Sequence, residues 1–251
     1  MAEFPRLIDP STIPAVLTDE LRQQLSSVST ATLTHQLQMR GIRSTFLAGL
    51  QPTHPERRLV GRARTLRYVA VREDVTNLAI NGRTAQKQVV ETVEPGDVVV
   101  MEARGVPDAG TIGDIFALRV QARGGAGVVT DGALRDTPAI VALDLPVYHL
   151  SSHASTYGRH HMPYSVDDAI TCAGVFVEAG DVVVGDAEGA VVIPHALVAE
   201  VARDAVVQEE IEEFAIERVA AGEPTDGLFP LSDERRPDYE AWRAVRDRGS
   251  A

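Results

Sequence analysis

The chain has 251 residues, of which 44% are hydrophobic, and a formal net charge of −12 at pH 7. A chain of this length and apolar content can enclose a substantial core. The acidic balance argues against binding to a nucleic-acid backbone, which requires clustered cations, so the sequence favours a small molecule or a protein as the partner.

The sequence has the features of a cytoplasmic protein. Its first residues, MAEFPRLIDPSTIP, lack the basic flank and the apolar run of a signal peptide. No segment approaches the roughly 18 consecutive apolar residues of a membrane span, so no membrane partner is expected. No low-complexity linker divides the chain, which predicts a single domain over residues 1–251 with terminal extensions.

Two residue types that occur once each restrict the chemistry. Cys172 is the single cysteine, so it cannot form an internal disulfide or a multi-cysteine zinc site, and we interpret it as a buried structural thiol. Lys87 is the single lysine and lies in a polar segment. Schiff-base chemistry needs a lysine with a depressed pKa, so a carbon–carbon lyase built on this chain would use a metal as its electron sink.

The first predicted elements are two short helices, a strand and a third helix. Thr18 and Ser29 are suited to cap helices at their N-termini, and Gly41 would end the second helix. Bulky and charged residues alternate from Leu59 to Val71, which predicts a half-buried strand. The following run, TNLAINGRTAQKQVVETV, predicts a helix interrupted near residues 81–82.

The motif GDVVV occurs twice, at residues 96–100 and 180–184. In each copy a Gly-Asp turn leads into a strand of β-branched residues. We assign Asp97 and Asp181 to turn chemistry rather than to ligand binding. The second copy continues through a predicted hairpin turn around Glu188 into another strand.

After Pro194 the spacing of apolar residues predicts a long amphipathic helix that ends at Gly222. Its acid-rich segment, QEEIEEFAIE, is interpreted as a solvated face. The tail that follows carries three aromatic residues among many charges: Phe229, Tyr239 and Trp242. We expect this tail to fold over a neighbouring subunit as part of an oligomer contact.

The central stretch, GDIFALRVQARGGAGVVTDGALRD, spans residues 113–136. A helix is expected to begin at Gly113 and Asp114 and to end at the following Gly-Gly pair. Its packed face is predicted to consist of five apolar residues: Ile115, Phe116, Leu118, Val120 and Ala122. The first amides of a helix are unpaired donors, so the amides of Ile115 and Phe116 are suited to bind the carboxylate of an oxoacid.

The strand AGVVT then leads to a predicted turn at Asp131 and Gly132, followed by Arg135 and Asp136. Arginine presents a planar fork of donors that suits a carboxylate and a ketone oxygen, and an adjacent aspartate can hold a hard divalent cation. Asp114 could fold back to the same place and reach a metal-bound water. An alternative stays open, in which Asp114 only caps its helix and Arg135 forms a surface ion pair with Asp136.

This stretch resembles the signature of the RraA-like family, named for the regulator of ribonuclease activity A, which also contains divalent-metal-dependent 4-hydroxy-4-methyl-2-oxoglutarate aldolases. The family pattern is an acidic residue, twenty residues and an Arg-Asp pair, and it is met by Asp114, Arg135 and Asp136. The similarity extends to four further segments: STATLTHQLQMRG, LVGRARTLRY, EPGDVVV and GVFVEAGDVVVGDAEGAVVIP.

The resemblance implies an α/β fold, a swivelling β/β/α sandwich of the RraA-like type with helical N- and C-terminal extensions. The core would span residues 28–194, with an N-terminal arm over residues 1–27 and a C-terminal helix and tail over residues 195–251. Members of the family assemble as homotrimers or as homohexamers that are dimers of trimers. Their site lies between subunits.

The resemblance also implies roles for the residues of the site. Arg135 and Asp114 would be the catalytic residues. The substrate would be a 2-oxoacid whose carboxylate binds beside Gly113, at the amides of Ile115 and Phe116, while Arg135 contacts the keto oxygen.

Asp136 would be the metal ligand, with Mg²⁺ or Mn²⁺ as the cofactor and with Asp114 reaching the metal through water. The implied activity is retro-aldol cleavage of a 4-hydroxy-2-oxoacid with release of pyruvate, and the same electron sink permits oxaloacetate decarboxylation. The family name leaves a non-catalytic regulator of ribonuclease activity as the alternative. A methyltransferase is not favoured, because no glycine-rich nucleoside-binding turn follows a first strand.

The chain departs from the family pattern at one position and leaves another open. Many relatives carry Glu or Asp three residues after the Arg-Asp pair, where this chain has Ala139. The aldolases also take an acidic residue from the C-terminal part of the adjacent subunit, and the candidates here lie within residues 209–217.

Substrate choice is expected to involve a histidine-rich segment, YHLSSHASTYGRHHMPYS, at residues 148–165. This loop-like stretch carries four histidines and an arginine: His149, His153, Arg159, His160 and His161. Such a loop would bind a hydroxylated or anionic tail of the substrate or supply an acid–base group, and a surface loop without function stays open. Zinc is not favoured, because no spaced ligand pair is joined to a third ligand.

Overall fold

A mixed sheet built from strands along most of the sequence forms the centre of the protein. The structure, a computed structural model, describes residues 17–74 and 84–249. Its elements in chain order are α1 (Asp19–Ser27), α2 (Thr30–Met39), β1 (Gln51–Pro52), β2 (Leu59–Ala70), α3 (Ala85–Thr92), β3 (Asp97–Glu102), β4 (Gly110–Ile112), α4 (Asp114–Ala122), β5 (Gly127–Leu134), α5 (Thr137–Val141), β6 (Val147–Ser152), β7 (His161–Val166), β8 (Ile170–Cys172), β9 (Val175–Val177), β10 (Val182–Gly185), β11 (Ala190–Ile193), α6 (Val198–Ala220) and α7 (Arg236–Gly249).

The strands of this sheet lie in the order β1-β6-β5-β3-β2-β10-β11. The pairs β2–β3, β3–β5 and β5–β6 are parallel, whereas β10 pairs antiparallel with both β2 and β11. β4 runs parallel to the end of β5, and β7 pairs with the second half of β2. Because helices follow β4 and β5, the starts of α4 and α5 lie at the carboxyl ends of neighbouring parallel strands, where α/β proteins commonly bind ligands.

The core covers both faces of the sheet, which explains why β3 is an almost continuous run of buried apolar residues. Side chains alternate along a strand. Val98 and Val100 therefore pack into one cluster with Val183, whereas Val99 and Met101 pack into a second cluster that includes residues of α3 and α4.

The local predictions for the first helices and the first long strand are confirmed. The Thr18 side chain accepts the N–H of Leu21, and the Ser29 side chain accepts the N–H of Thr32, so both residues cap helices as expected. β2 covers the predicted alternating strand. α3 forms the end of the predicted third helix, while its predicted interruption at residues 81–82 lies outside the described residues.

The repeated GDVVV motif forms the same turn twice, as the sequence predicted. Asp97 Oδ2 accepts the N–H of Glu94, and Asp181 Oδ2 accepts the N–H of Glu178, each at 2.9 Å. The glycine before each aspartate has a positive φ. Both aspartates thus close a turn at the start of a strand.

The predicted turn at Asp131 and Gly132 is wrong, because β5 continues through both residues. The Asp131 carboxylate is buried and accepts backbone N–H groups from three residues: Ala103, Gly105 and Ala173. A Cβ at Gly132 would lie 2.2 Å from Thr111 Oγ1, so glycine is required by close packing. Contacts with distant parts of the chain, rather than a turn, explain both residue types.

The long C-terminal helix forms as predicted, and α6 follows a short 3-10 turn after Pro194 and ends just before Gly222. Within the described ranges, no helix is both long enough and apolar enough to cross a membrane.

The tail packs on α6 of its own chain, and its expected contact with a neighbouring subunit stays a prediction. Phe214 of α6 is buried against Tyr239 and Trp242 of α7, with ring centroids 5.8 and 5.7 Å apart. Phe229 remains 62% exposed. The acid-rich segment of α6 is also more than a solvated face, because three of its side chains bond to α7: Glu210 with Arg243, Glu213 with Arg246 and Glu217 with Trp242.

Candidate active site

β4 and β5 end side by side, which brings the two charged ends of the central stretch together. Ile112 pairs with Leu134, and the N–H of Arg135 donates to Ile112 O at 2.9 Å. Gly113 follows β4 as the N-cap of α4, and Asp136 follows Arg135 as the N-cap of α5. The start of α4 and the Arg135–Asp136 pair are therefore neighbours.

A cavity of about 260 Å³ opens where these ends meet. Its wall includes the six residues to which the family resemblance assigns a role: Gly113, Asp114, Ile115, Phe116, Arg135 and Asp136. It also includes five residues that sequence reasoning missed: Gln86, Gly110, Thr111, Thr156 and Tyr157. These five come from three segments, Gln86, residues 110–111 and residues 156–157, and only the tertiary structure brings the first and the last of these to the cavity. A cavity of this volume suits a small metabolite.

Asp136 presents its carboxylate to the cavity. Its backbone is left-handed (φ +58°), and its side chain makes no capping bond to α5, although aspartate commonly caps a helix from this position. The carboxylate lies against the start of α4 instead, since a Cβ at Gly113 would be 3.2 Å from Asp136 Oδ2. This orientation leaves the carboxylate available to a ligand.

Asp114 is the first residue of α4 rather than its N-cap, so the interpretation of Asp114 as a simple cap is wrong. Its Oδ1 accepts the N–H of Ile115 at 2.8 Å. That bond engages one of the two amides predicted to bind a substrate carboxylate. An anion at the Ile115 amide would therefore have to replace the Asp114 side chain there.

The packed face predicted for α4 is wrong in part. Ile115 is 76% exposed and Leu118 is 49% exposed, whereas Ala117 and Val120 are buried. Apolar residues occur on every side of this helix, so their spacing does not identify the inner face. As a result, an exposed apolar surface lies beside the cavity.

The contact between Arg135 and Asp136 is a weak ion pair. Arg135 Nε lies 3.6 Å from Asp136 Oδ2, and both side chains are nearly half exposed, a situation in which an ion pair contributes little to stability. A surface ion pair describes this contact. It does not explain why Asp114 lines the same cavity.

The sequence that builds this site is similar to that of known proteins. A sequence profile of the RraA-like family, described as Aldolase/RraA, matches residues 30–192. The chain belongs to the RraA-like family. The matched region contains the whole cavity wall, from Gln86 to Tyr157.

The relatives of this RraA-like chain carry different names, as one curated sequence and two solved structures illustrate. A putative 4-hydroxy-4-methyl-2-oxoglutarate aldolase of Halalkalibacterium halodurans is 32% identical over 150 residues, which are 58% of this chain and 64% of the relative. The match therefore spans less than two thirds of that relative.

Solved structures add two further relatives. Streptomyces coelicolor RraAS2, described as an unusual member of the RNase ES inhibitor RraA protein family, is 34% identical with a TM-score of 0.73, over 79% of this chain and 96% of its own. A Geobacillus kaustophilus protein named S-adenosylmethionine:2-dimethylmenaquinone methyltransferase is 25% identical with a TM-score of 0.52. The match covers 68% of this chain and 98% of the Geobacillus chain. The likeness to RraAS2 confirms the predicted RraA-type α/β fold.

The RraA-like chain offers few metal ligands of its own. Within residues 17–74 and 84–249, no three His, Cys, Asp or Glu side chains are grouped so that they could hold a metal ion. The cavity wall does carry two carboxylates, Asp114 and Asp136. Magnesium is often held by one or two carboxylates with water in the remaining positions, and manganese takes the same oxygen ligands. The donor set therefore fits either ion.

The acidic residues predicted to reach a neighbouring site lie on α6, where each is bonded within its own chain. The bonds are Glu209 with Ser29, Glu210 with Arg243, Glu212 with Gln208, Glu213 with Arg246 and Glu217 with Trp242. A role for one of them in an adjacent subunit stays a prediction.

The histidine-rich segment is largely ordered as strands rather than as a loop, since β6 covers its start and β7 its end. Its histidines contact other groups: His149 bonds Ser151 O, His153 bonds the N–H of Ser155, His160 bonds Asp108, and His161 packs on Tyr68. None of the four belongs to the cavity wall, whereas Thr156 and Tyr157 of the same segment do. The segment therefore reaches the cavity as expected, but through Thr156 and Tyr157 rather than through its histidines.

Proposed function

We propose that the protein is a divalent-metal-dependent lyase that cleaves a 4-hydroxy-2-oxoacid by a retro-aldol reaction and releases pyruvate. The observation that carries this proposal is the convergence of Asp114, Arg135 and Asp136 on one small cavity at the start of α4. Similarity to a relative named as a putative 4-hydroxy-4-methyl-2-oxoglutarate aldolase supports it.

The reaction breaks the bond between C3 and C4 of the substrate. The proton of the C4 hydroxyl leaves, C4 becomes a carbonyl, and the bonding electrons pass into the pyruvyl half, which then takes a proton at C3. The planar fork of Arg135 is suited to donate to the C1 carboxylate and the C2 oxygen, where negative charge develops. A divalent cation held by Asp136 would supply Lewis acidity at the same end of the substrate.

Asp114 has two roles in this proposal. It keeps the first turn of α4 in place by accepting the N–H of Ile115, and it provides the second carboxylate of the wall, which orients the water that takes the C4 hydroxyl proton. Decarboxylation of oxaloacetate needs the same stabilisation of charge on the pyruvyl half. We therefore propose it as a second activity.

The assembly belongs to the proposal as well. We propose a homotrimer, or a dimer of trimers, in which an acidic residue of the adjacent subunit completes the site. The exposed apolar residues Ile115 and Leu118 beside the cavity support a contact at this place.

Pyruvate release tests the proposal. Purified protein with 4-hydroxy-4-methyl-2-oxoglutarate should release pyruvate, measured as NADH oxidation by added lactate dehydrogenase. EDTA should abolish the release, and Mg²⁺ or Mn²⁺ in excess should restore it. Arg135→Ala should lower kcat/KM by at least about 100-fold, whereas Arg43→Ala, at an exposed position outside the cavity wall, should not. Unimpaired turnover in Arg135→Ala would refute the proposal.

A second candidate function is a non-catalytic regulator of ribonuclease activity. It is favoured by one observation, the 34% identity to S. coelicolor RraAS2, which is described as a member of an RNase ES inhibitor family. This function predicts saturable binding to RNase ES in a pull-down with no metal requirement. Absence of a complex would exclude it for that nuclease.

A further inference from the structure

The segment that leads into Tyr157 lies next to Arg135 across a single glycine, and both residues line the cavity. The N–H of Gly110 in β4 donates to Ser155 O at 2.7 Å, and Gly110 forms a parallel bridge with Thr156. A Cβ at Gly110 would lie 2.7 Å from Arg135 Cβ and 2.9 Å from Ser155 O. The chain leading into Tyr157 therefore packs directly on β4, and β4 packs directly on the residue that carries the guanidinium.

The ring of Tyr157 rests on a rigid support. It meets the ring of Tyr68 edge-on, with centroids 5.7 Å apart and an angle of 63°, an arrangement that aromatic pairs favour. Tyr68 is buried, and its hydroxyl donates to Thr111 O at 3.0 Å. Gln86 Nε2 donates to the same carbonyl at 2.7 Å. This network holds one part of the cavity wall in a single position.

The hydroxyl of Tyr157 makes no hydrogen bond within the described part of the chain, whereas the Tyr68 hydroxyl and the Gln86 amide both donate to Thr111 O. Burial raises the pKa of Tyr157, so the phenol is protonated at neutral pH and can donate a hydrogen bond. Among the described residues of the cavity wall, Arg135 is the single cation. Beyond the reach of Arg135, the wall therefore offers a neutral donor and an aromatic face.

We propose that Tyr157 binds the C4 hydroxyl of the substrate and so selects 2-oxoacids that carry a hydroxyl at that position. This inference rests on the proposed function, because it assumes that Arg135 and Asp136 hold the C1–C2 end. The next carbons then extend along β4 towards Tyr157. During cleavage the C4 oxygen loses its proton and becomes a carbonyl oxygen, so a donated hydrogen bond from Tyr157 can persist from substrate to product.

The test measures binding with ligands that cannot be cleaved. In 2,4-dihydroxypentanoate and 2-hydroxypentanoate an alcohol replaces the C2 ketone, so neither can form the pyruvyl enolate, and the two differ only in the C4 hydroxyl. Isothermal titration of the full chain with MgCl₂ present should show about tenfold tighter binding of the dihydroxy acid. Tyr157→Phe, which keeps the ring contact with Tyr68, should remove that preference. Tyr164→Phe, at an exposed position outside the cavity wall, should keep it.

The outcomes separate the two proposals. Equal affinity of the wild type for both acids, no binding of either, or a preference that survives in Tyr157→Phe would each overturn the role of Tyr157. If the preference depends on Tyr157 but the wild type releases no pyruvate from 4-hydroxy-2-oxoacids, the proposed retro-aldol function fails and the hydroxyl-binding site remains.

Discussion

His161 is a buried imidazole whose two ring nitrogens have no hydrogen-bond partner in the described part of the chain. It packs against Tyr68, with ring centroids 4.9 Å apart. Burial, together with the charges of Arg104 and His160, lowers the pKa of His161 to about 4. The folded protein therefore keeps this side chain neutral at pH 7, packed against the ring of Tyr68.

Replacing this imidazole should change how stability depends on pH. In the unfolded chain a histidine takes a proton below about pH 6.5, whereas folded His161 does so only near pH 4, so acidification from pH 6.5 to 4 favours the unfolded wild type. His161→Phe has no such group. The free energy of unfolding of His161→Phe relative to wild type should therefore rise by about 2–3 kcal/mol between pH 7 and pH 4, measured by urea unfolding.

The control for this experiment is His35→Phe at an exposed position of α2. Its free energy of unfolding relative to wild type should stay nearly constant over the same pH range. A constant difference for His161→Phe as well would show that His161 does not carry the pH dependence.

Some residues of the cavity wall could be predicted from the sequence and others could not. Arg135 and Asp136 are adjacent in sequence, and their spacing from Asp114 matches a family pattern, so all three could be predicted. Tyr157 lies in the histidine-rich segment that the sequence placed near the site, but nothing local singles it out, because the position of this segment depends on packing of Ser155 and Thr156 at Gly110. Residues that belong to a site through long-range packing leave no local pattern.

At the scale of elements, Asp186 joins the turn between β10 and β11 to the start of α2. Its carboxylate accepts the N–H and the hydroxyl of Thr30 and pairs with Arg58 at 3.0 Å. Burial alone would raise the pKa of Asp186, but the bonds from Thr30 and Glu188 and the charge of Arg58 hold it below its ordinary value. The ionised carboxylate thus stabilises the folded state.

Asp186→Asn should lose this stabilisation. Because the folded pKa of Asp186 lies below the unfolded value, the contribution is complete above about pH 4 and disappears as the pH falls through the folded pKa. We expect Asp186→Asn to lower the free energy of unfolding by about 1–3 kcal/mol at pH 7, and by less as the pH falls below 4. Asp168→Asn, at an exposed position, is the control. If Asp186→Asn lost as much free energy of unfolding at pH 3 as at pH 7, the assignment of Asp186 would be contradicted.

Elements whose signals are local could be predicted, and those defined by distant partners could not. The caps at Thr18 and Ser29 bond residues three positions later, so the sequence contains both partners. Asp131 and Gly132 have the composition of a turn, yet they continue β5 because their partners lie on other segments. The prediction of a loop for the histidine-rich segment is wrong for the same reason, since its strands pair with β1, β2 and β5.

At the scale of the whole molecule, α6 and α7 form a hairpin with its own small apolar cluster. The cluster consists of Phe214, Ala215, Leu228 and Tyr239 with partly buried neighbours, including Trp242. It is separate from the three clusters that enclose the sheet. A small separate cluster buries less apolar surface, so it should open at a lower free energy than the sheet.

Trp242 is the single tryptophan of the chain and stacks on Tyr239 in this cluster. Its fluorescence should therefore report the detachment of α7, whereas far-UV circular dichroism reports the whole fold. In a urea titration the fluorescence midpoint should lie below the dichroism midpoint. Phe214→Ala should move the fluorescence midpoint further down by removing the centre of the cluster. Coincident transitions in the wild type would show that the hairpin and the sheet unfold as one unit.

β2 acquires its hydrogen-bonding partners late. It pairs Arg62 with Val182 and Leu66 with Val166, positions that stand 120 and 100 residues apart in the chain. During synthesis on the ribosome, one edge of this strand therefore emerges long before the segments that cover it. A nascent chain that stalls before β10 would expose an unpaired strand edge, which can pair with other chains. We therefore expect incomplete chains to aggregate. Chaperones that bind exposed strands should matter most for this protein while it is being synthesised.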